Sequence, residues 1–444
     1  MPNVHDDPDT IVTHLLERSG VIREPVPGQV NFVHRTFQEY LAGAEAMNDG
    51  QVETLAAHAD QDSWAETIVL ACGHGQRTQV NELLTEILDR ADREQLNSRK
   101  LRLLAATCLE TARDLDPAVL DRVNRMIEEQ LVPPRDEKEA ASLATAGHRI
   151  LRYLPQDLTD LPKEVAEATV HATRLVGSPE AMNQLALYAR DPRSGVQFEL
   201  QKAWIHFDPK RFAEEVLACA PLLAGTIDIT AMRLLPHLTA LQHLNKVRFS
   251  LPDHEVQHDL LFAPAIPKLQ SLGASVAGEV SLSPLANCER LRELQLSGAD
   301  RYVDMEQLPR HLASLWLSQH EPWDDLNFLR GHVLLIADLS QVAAACDLSN
   351  LSGIRLFGCR NWTDYRALAS LPRVSVLKIV NMDAPVDLGE LPELPEIDVL
   401  HVRSRFQIDL RALAGKSLHL ELIRRQRHVG LDELGPGVTI NWVG

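Results

Sequence analysis

A short template, L-x-x-L-x-L with Leu, Ile, Val or Phe at its apolar positions, returns along the second half of the chain at nearly even intervals. It reads Leu244-x-x-Val247-x-Phe249, Leu291-x-x-Leu294-x-Leu296 and Leu312-x-x-Leu315-x-Leu317, then Leu351-x-x-Ile354-x-Leu356, Val374-x-x-Leu377-x-Ile379 and Ile397-x-x-Leu400-x-Val402. A degenerate copy, Leu269-x-x-Leu272-x-Ala274, falls between the first two, and another starts near Val333. The tail segments Leu418-x-Leu420-x-Leu422 and Val438-x-Ile440 keep only the core pair. Starts at 244, 269, 291 and 312, and again at 351, 374 and 397, lie 21 to 25 residues apart. One such unit cannot bury its own apolar side chains, so the copies must stack and share a core.

Periods of this length predict an irregular leucine-rich-repeat horseshoe over residues 227–444, with one short strand per repeat on its inner wall. The copy beginning at Leu351 places Cys359 where such repeats carry Asn or Cys to satisfy the loop backbone. Residues 51–226 carry the helical period instead. Apolar positions three and four apart mark helices at about 64–72, 80–91, 101–112, 117–131, 137–154, 161–176, 179–189, 196–206 and 209–218. Pro117 and Pro179 sit where a first-turn proline is tolerated, and Pro133-Pro134 interrupts the pattern. Successive helices with short links predict HEAT-like hairpins, with an irregular helical bundle as the alternative. Residues 1–50 read as helix, strand, turn, strand, helix, the layout of part of a winged-helix unit, with strands at 21–24 and 30–33. The whole is an α plus α/β solenoid in three parts.

Charge and composition narrow the function. Lys and Arg number 44 against 62 Asp and Glu, a net charge of −18, which opposes non-specific binding to nucleic acid. No apolar run reaches membrane-spanning length, and an acidic start (Met-Pro-Asn-Val-His-Asp-Asp) does not serve as a signal peptide. Cysteines at 72, 108, 219, 288, 346 and 359 form no C-x-x-C pair, which predicts buried free thiols in a reducing cytoplasm. There is no GxxxxGK[ST] loop, no HExxH and no GxSxG, so a non-catalytic chain without its own cofactor or metal is expected. Cys72-Gly-His74 invites a nucleophile–base reading, but it ends an apolar helix, where a buried free cysteine is the ordinary outcome. Glu128-Glu129 and Asp324-Asp325 read as solvated faces. Arg424, Arg425 and Arg427 read either as an anion contact or as a snorkelling repeat edge.

One segment carries more. In Phe32-Val-His34-Arg35-Thr-Phe37-Gln38-Glu39-Tyr40-Leu41-Ala42, the spacing of Phe37, Tyr40 and Leu41 predicts the buried side of a helix, with His34 just before it. The stretch resembles the FxHxxFQEYxAA signature near the end of the winged-helix domain in NACHT-type STAND NTPases, bacterial relatives of NOD-like receptors, and most of all actinobacterial members. Phe32, His34, Phe37, Gln38, Glu39, Tyr40 and Ala42 match, with Gly43 in place of the second alanine. Leu15-Leu-Glu-Arg-Ser-Gly-Val-Ile-Arg-Glu24 resembles the segment leading into it. The order of winged helix, helical domain and sensor repeats is similar along the whole chain.

The resemblance implies that His34 reaches the phosphates of bound ADP when an NTPase domain is supplied in cis or in trans. ADP or ATP with Mg is then the cofactor of a full-length parent. The P-loop core is absent here, so the resemblance implies a C-terminal fragment of a longer receptor, ahead of a split gene product or a degenerate locus. It also implies a role as the sensor of a bacterial defence pathway, including anti-phage immunity, with a stand-alone interaction scaffold as the alternative.

The repeats offer a binding surface of their own. Residues flanking the strand leucines face the inner side of a horseshoe. The central positions are Arg248, Gln295, Trp316, Arg355, Lys378 and His401, with Arg403 two residues on. A row this rich in cations on an acidic chain, with a Trp among them, predicts a face that binds a protein or another anionic ligand. A merely solvated sheet is the alternative.

Overall fold

The computed structural model describes residues 8–26, 28–252, 257, 259–332, 335–343, 345–351, 353–360, 364–390 and 396–443. The chain divides into two compact units, Met1–Ala203 and Trp204–Gly444.

The first unit is helical apart from one hairpin. Helix α1 (Pro8–Arg18) leads into antiparallel strands β1 (Ile22–Val26) and β2 (Gln29–Phe32), paired Ile22 to Phe32 and Arg23 to Asn31. Then come α2 (Arg35–Asn48), α3 (Val52–Ala57), α4 (Ala65–His74), α5 (Arg77–Arg93), α6 (Ser98–Thr107) and α7 (Pro117–Met126). The unit closes with α8 (Glu137–Ala144), α9 (Lys163–Val176), α10 (Pro179–Tyr188) and α11 (Ser194–Ala203). The apolar spacing locates most of these, and their ends follow local chemistry. Pro117 and Pro179 open their helices, Asp136 accepts the Glu139 N–H at 2.9 Å, and Ser178 accepts that of Ala181 at 3.3 Å. The sequence reading differs in three places. Helix α3 was not expected. The 117–131 helix widens to a π turn over Ile127–Leu131, and the 137–154 helix breaks after Ala144 into a tighter turn over Gly147–Tyr153.

Helix α2 corrects another expectation. Phe37, Tyr40 and Leu41 are 42–47% exposed, and the buried residues of α2 are Gly43 and Met47. The reason is steric. Helix α2 packs on α4 through Gly43, where a Cβ atom would stand 2.7 Å from the Thr67 carbonyl oxygen and 3.0 Å from the Ala71 nitrogen. The bare glycine lets the backbones meet and turns the aromatic side outward.

The second unit begins with α12 (Pro209–Phe212), which runs on as a π turn to Leu217. Its main element, among the described residues, is an 11-stranded parallel sheet. The strands are β3 (Thr226–Ile229), β4 (Lys246–Phe249), β5 (Ser271–Ser275), β7 (Glu293–Ala299), β9 (Ser314–Gln319) and β10 (Leu335–Leu339), followed by β11 (Ile354–Arg360), β12 (Arg373–Asn381), β13 (Glu396–Ser404), β15 (Leu418–Ile423) and β17 (Val438–Val443). They stand side by side in chain order. Two small parallel pairs, β6 (Glu279–Ser281) with β8 (Arg301–Val303) and β14 (Ile408–Asp409) with β16 (His428–Val429), follow in the loops. Strand β3 was not read from the sequence, and the copy near Val333 has its first position outside the described residues.

Register explains the core. Ile227, Val247, Leu272, Leu294, Leu315, Ala337, Phe357, Leu377, Leu400 and Leu420 form one buried column across neighbouring strands. A carboxylate then opens the short turn that follows several strands. Asp325, Asp347, Asp364, Asp387 and Asp409 each accept the backbone N–H two residues on, at 2.7–3.1 Å. Such side-chain turns satisfy backbone donors that the sheet cannot reach. Five of the six cysteines are buried as expected, but Cys219 is exposed.

Candidate functional site

In the sheet, side chains alternate between the core and an open face, so the register decides which residues share that face. The central open-face row runs Asp228, Arg248, Gly273, Gln295, Trp316, Asp338, Gly358, Lys378, His401, Glu421, Asn441. Arg248, Gln295, Trp316, Lys378 and His401 therefore stand where the sequence placed them, and Arg403 is exposed one step along, beside Val380. Arg355 does not belong to the row. Strand β11 slips in register between Ile354 and Leu356, leaving Arg355 as the unpaired extra residue, and Gly358 takes the central position. The aligned copy is thus Ile354-x-x-Phe357-x-Cys359, three residues later than read, because Phe357 and not Ile354 stands in register with Ala337 and Leu377 in the buried column. Cys359 is accordingly a fully buried core residue, and loop groups are instead held by Gln319, Asn381 and Ser404.

The sequence missed Asp338, Gly358 and Arg360, which meet around Trp316 on the face. The Arg360 guanidinium lies 4.6 Å above the Trp316 ring, and its Nε stands 3.2 Å from Asp338 Oδ2. Gly358 makes room for that carboxylate; a Cβ there would fall on Asp338 Oδ1 and Cγ. Burial pushes the Asp338 carboxyl above the usual carboxylate range, opposed by Arg360 and Lys378. Asp338 Oδ1 and Trp316 Nε1 are buried without a hydrogen-bond partner among the described residues.

Other row members pair along the sheet. Arg248 meets Asp228 at 3.0 Å, and His401 Nδ1 lies 3.3 Å from Glu421 Oε2. Burial lowers the His401 pKa, partly offset by Glu421. Lys378 and Arg403 have no ion-pair partner among the described residues.

One step toward the strand starts, the same face is apolar. Ile336, Leu356, Val376 and Val399 follow one another across β10 to β13. Ile336 is 41% exposed and the other three are half-buried. The slip at Arg355 creates this row, because it turns Leu356 from an expected core residue to the open face.

In the helical unit, His34 precedes α2 in an extended conformation, exposed, with no capping hydrogen bond from its side chain. Its ring stands 6.1 Å from that of Phe37. A cleft of about 860 Å³ lies between α3, α5 and α7, but Arg90 and Arg93 on its wall are already held by Asp60, Glu94 and Glu86.

No family model matches the sequence, and no curated protein matches it. Among solved structures, the chain is similar to an internalin (inlF) of Listeria monocytogenes str. 4b F2365, at 13% identity over 62% of this chain and 93% of that one, with a TM-score of 0.32. It is also similar to an internalin C2 (inlC2) of the same strain, at 14% identity over 42% of this chain and 77% of that one, with a TM-score of 0.23. Among the described residues, no helix is long and apolar enough to cross a membrane.

Proposed function

We propose that the chain is a non-catalytic protein-interaction scaffold, a leucine-rich-repeat solenoid that binds its partner on the open sheet face across β9–β13. One observation carries this reading. The apolar row Ile336–Leu356–Val376–Val399 lies beside Lys378 and Arg403, cations with no ion-pair partner among the described residues, on an acidic chain. Apolar area rimmed by unpaired charge is the composition of a recognition surface, and a solvated sheet has no need of it. The test is selection of a displayed random-peptide library on the full chain. Enriched peptides should lose binding to a Val376→Asp chain that keeps its circular dichroism. A selection in which no enriched peptide distinguishes the two chains refutes the reading.

A finer reading makes the same module the sensor of a NACHT/STAND receptor. In it, residues 1–50 are a winged-helix remnant and the HEAT-like helices couple partner binding to an NTPase domain, in bacterial defence signalling. Its support is the exposed apolar set Val12, Leu15, Val26, Val30, Phe37, Tyr40 and Leu41 on α1, β1, β2 and α2. A domain supplied in cis or in trans would cover that set and bring ADP or ATP with Mg to His34. The mass of the native polypeptide in its host tests the cis form: a product well above 49.5 kDa is expected, and one at 49.5 kDa refutes it.

A further inference from the structure

The apolar row has a length, a spacing and one charged flank. Neighbouring strands lie about 4.8 Å apart, so four residues on four strands span about 14 Å, at right angles to the strands. Side chains on one face of an α-helix recur every three or four residues, a rise of about 4.5–6 Å. In an extended chain laid along the row, same-face side chains recur at about 6.6 Å. The spacing of Ile336, Leu356, Val376 and Val399 matches the helix.

The flanks differ. Toward the strand starts, Arg373 is already engaged by Asp398 at 3.4 Å and Glu396 at 3.8 Å. Toward the strand ends stand Lys378 and Arg403, without an ion pair among the described residues, with His401 between Lys378 and Glu421 in the central row. Arg360 on that side is committed to Trp316 and Asp338. Among the described residues, Lys378 and Arg403 therefore put positive charge with no ion pair on the strand-end side of the apolar row, while Arg355, also exposed and without one, is the bulged residue ahead of Leu356.

We infer that the face takes an amphipathic helix of a partner protein, about three turns long, laid across β10–β13. Its apolar side chains sit on Ile336, Leu356, Val376 and Val399, and its Glu or Asp side chains run along the flank that meets Lys378 and Arg403. This rests on the reading of the sheet face as an interaction surface and specifies its occupant.

Fluorescently labelled synthetic peptides and the full chain test it by anisotropy. The first peptide is alanine-based, with Leu at i, i+4, i+7 and i+11 and Glu at i+1, i+5 and i+8. The second replaces each Glu by Lys, and the third is the first with one central Ala replaced by Pro. The Glu peptide should bind, and its Kd should rise about tenfold at low salt on a Lys378→Glu/Arg403→Glu chain, the gap shrinking as salt is added. The Lys peptide should show the reverse preference, which controls for any effect of the two substitutions on folding. The proline peptide should lose binding. Equal binding of the proline peptide, or no exchange of preference between the two chains, overturns the inference. If none of these peptides binds while library-selected peptides still depend on Val376, the helix is wrong and the interaction face survives; if neither kind binds, both readings fall.

Discussion

Replacing Glu199 by Gln tests the charged knot that joins α9 to α11. Glu199, His171 and Arg174 are only 7–9% exposed. His171 Nδ1 lies 2.9 Å from Glu199 Oε2, Arg174 Nε donates to the same oxygen at 3.0 Å, and Lys202 Nζ donates to Oε1 at 2.9 Å. Burial alone would raise the carboxyl pKa, but the His171 and Lys202 hydrogen bonds and the Arg174 charge bring it down to about 2, from 4.5. A carboxyl whose pKa is depressed on folding stabilises the fold above its unfolded value. That contribution is lost as pH falls through the folded value, here from 4.5 toward about 2. The shift corresponds to about 3 kcal/mol at neutral pH. Removing one partner of a buried ion pair costs about 3–5 kcal/mol, which agrees. For a unit of this size that is a fall in Tm of about 6–12 °C.

The assay is unfolding followed by far-ultraviolet circular dichroism, which the helical unit dominates, for the native and Glu199→Gln chains over a pH series. The difference should be full at neutral pH and should close between pH 4.5 and about 2. A difference under about 1 kcal/mol, or one that does not change with pH, would refute the reasoning, because it would mean that packing and not charge holds the knot.

Two further substitutions probe other contacts. Gly43→Ala sets a methyl against the backbone of Thr67 and Ala71 and should cost about 1–3 kcal/mol as α2 shifts off α4; hydrogen exchange in α2 should rise, and unchanged protection there contradicts the close approach. Arg360→Gln uncovers Trp316 at a stability cost of about 1 kcal/mol. Quenching of tryptophan fluorescence by acrylamide should increase, with buried Trp204 and Trp323 as internal references, and unaltered quenching would remove the stacked arrangement.

Legibility differed from element to element. The helices of the first unit show in the sequence because each repeats its apolar positions locally, and caps such as Asp136 and Ser178 act within one turn. Where reading failed, a distant partner decided. The spacing of Phe37, Tyr40 and Leu41 is a genuine helical stripe, yet α4 accepts the Gly43 side of α2. No pattern within residues 35–48 reveals that choice, because it depends on Thr67 and Ala71. On the sheet, Trp316, Lys378 and His401 were legible as flanking positions of well-formed repeats. Asp338 lies in the copy near Val333, which the template hardly marks, and Gly358 and Arg360 lie in a copy whose template match, Leu351-x-x-Ile354-x-Leu356, is three residues out of register; the aspartate that opens several of the short turns was the unused signal that could have aligned them.

Taken by itself, the sequence determined that the second half stacks short apolar units into one core, that the first half is helical, and where most strands lie. These depend on burial patterns that repeat within a few residues. The tertiary structure alone decided which residues share the open face of the sheet. A strand's side chains reverse faces with every one-residue slip, and the hydrogen-bonded register between β10 and β11 places the slip at Arg355. That one pairing removes Arg355 from the central row and puts Gly358 beneath the Asp338 carboxylate. It also lifts Leu356 out of the core to complete the apolar row beside Lys378 and Arg403.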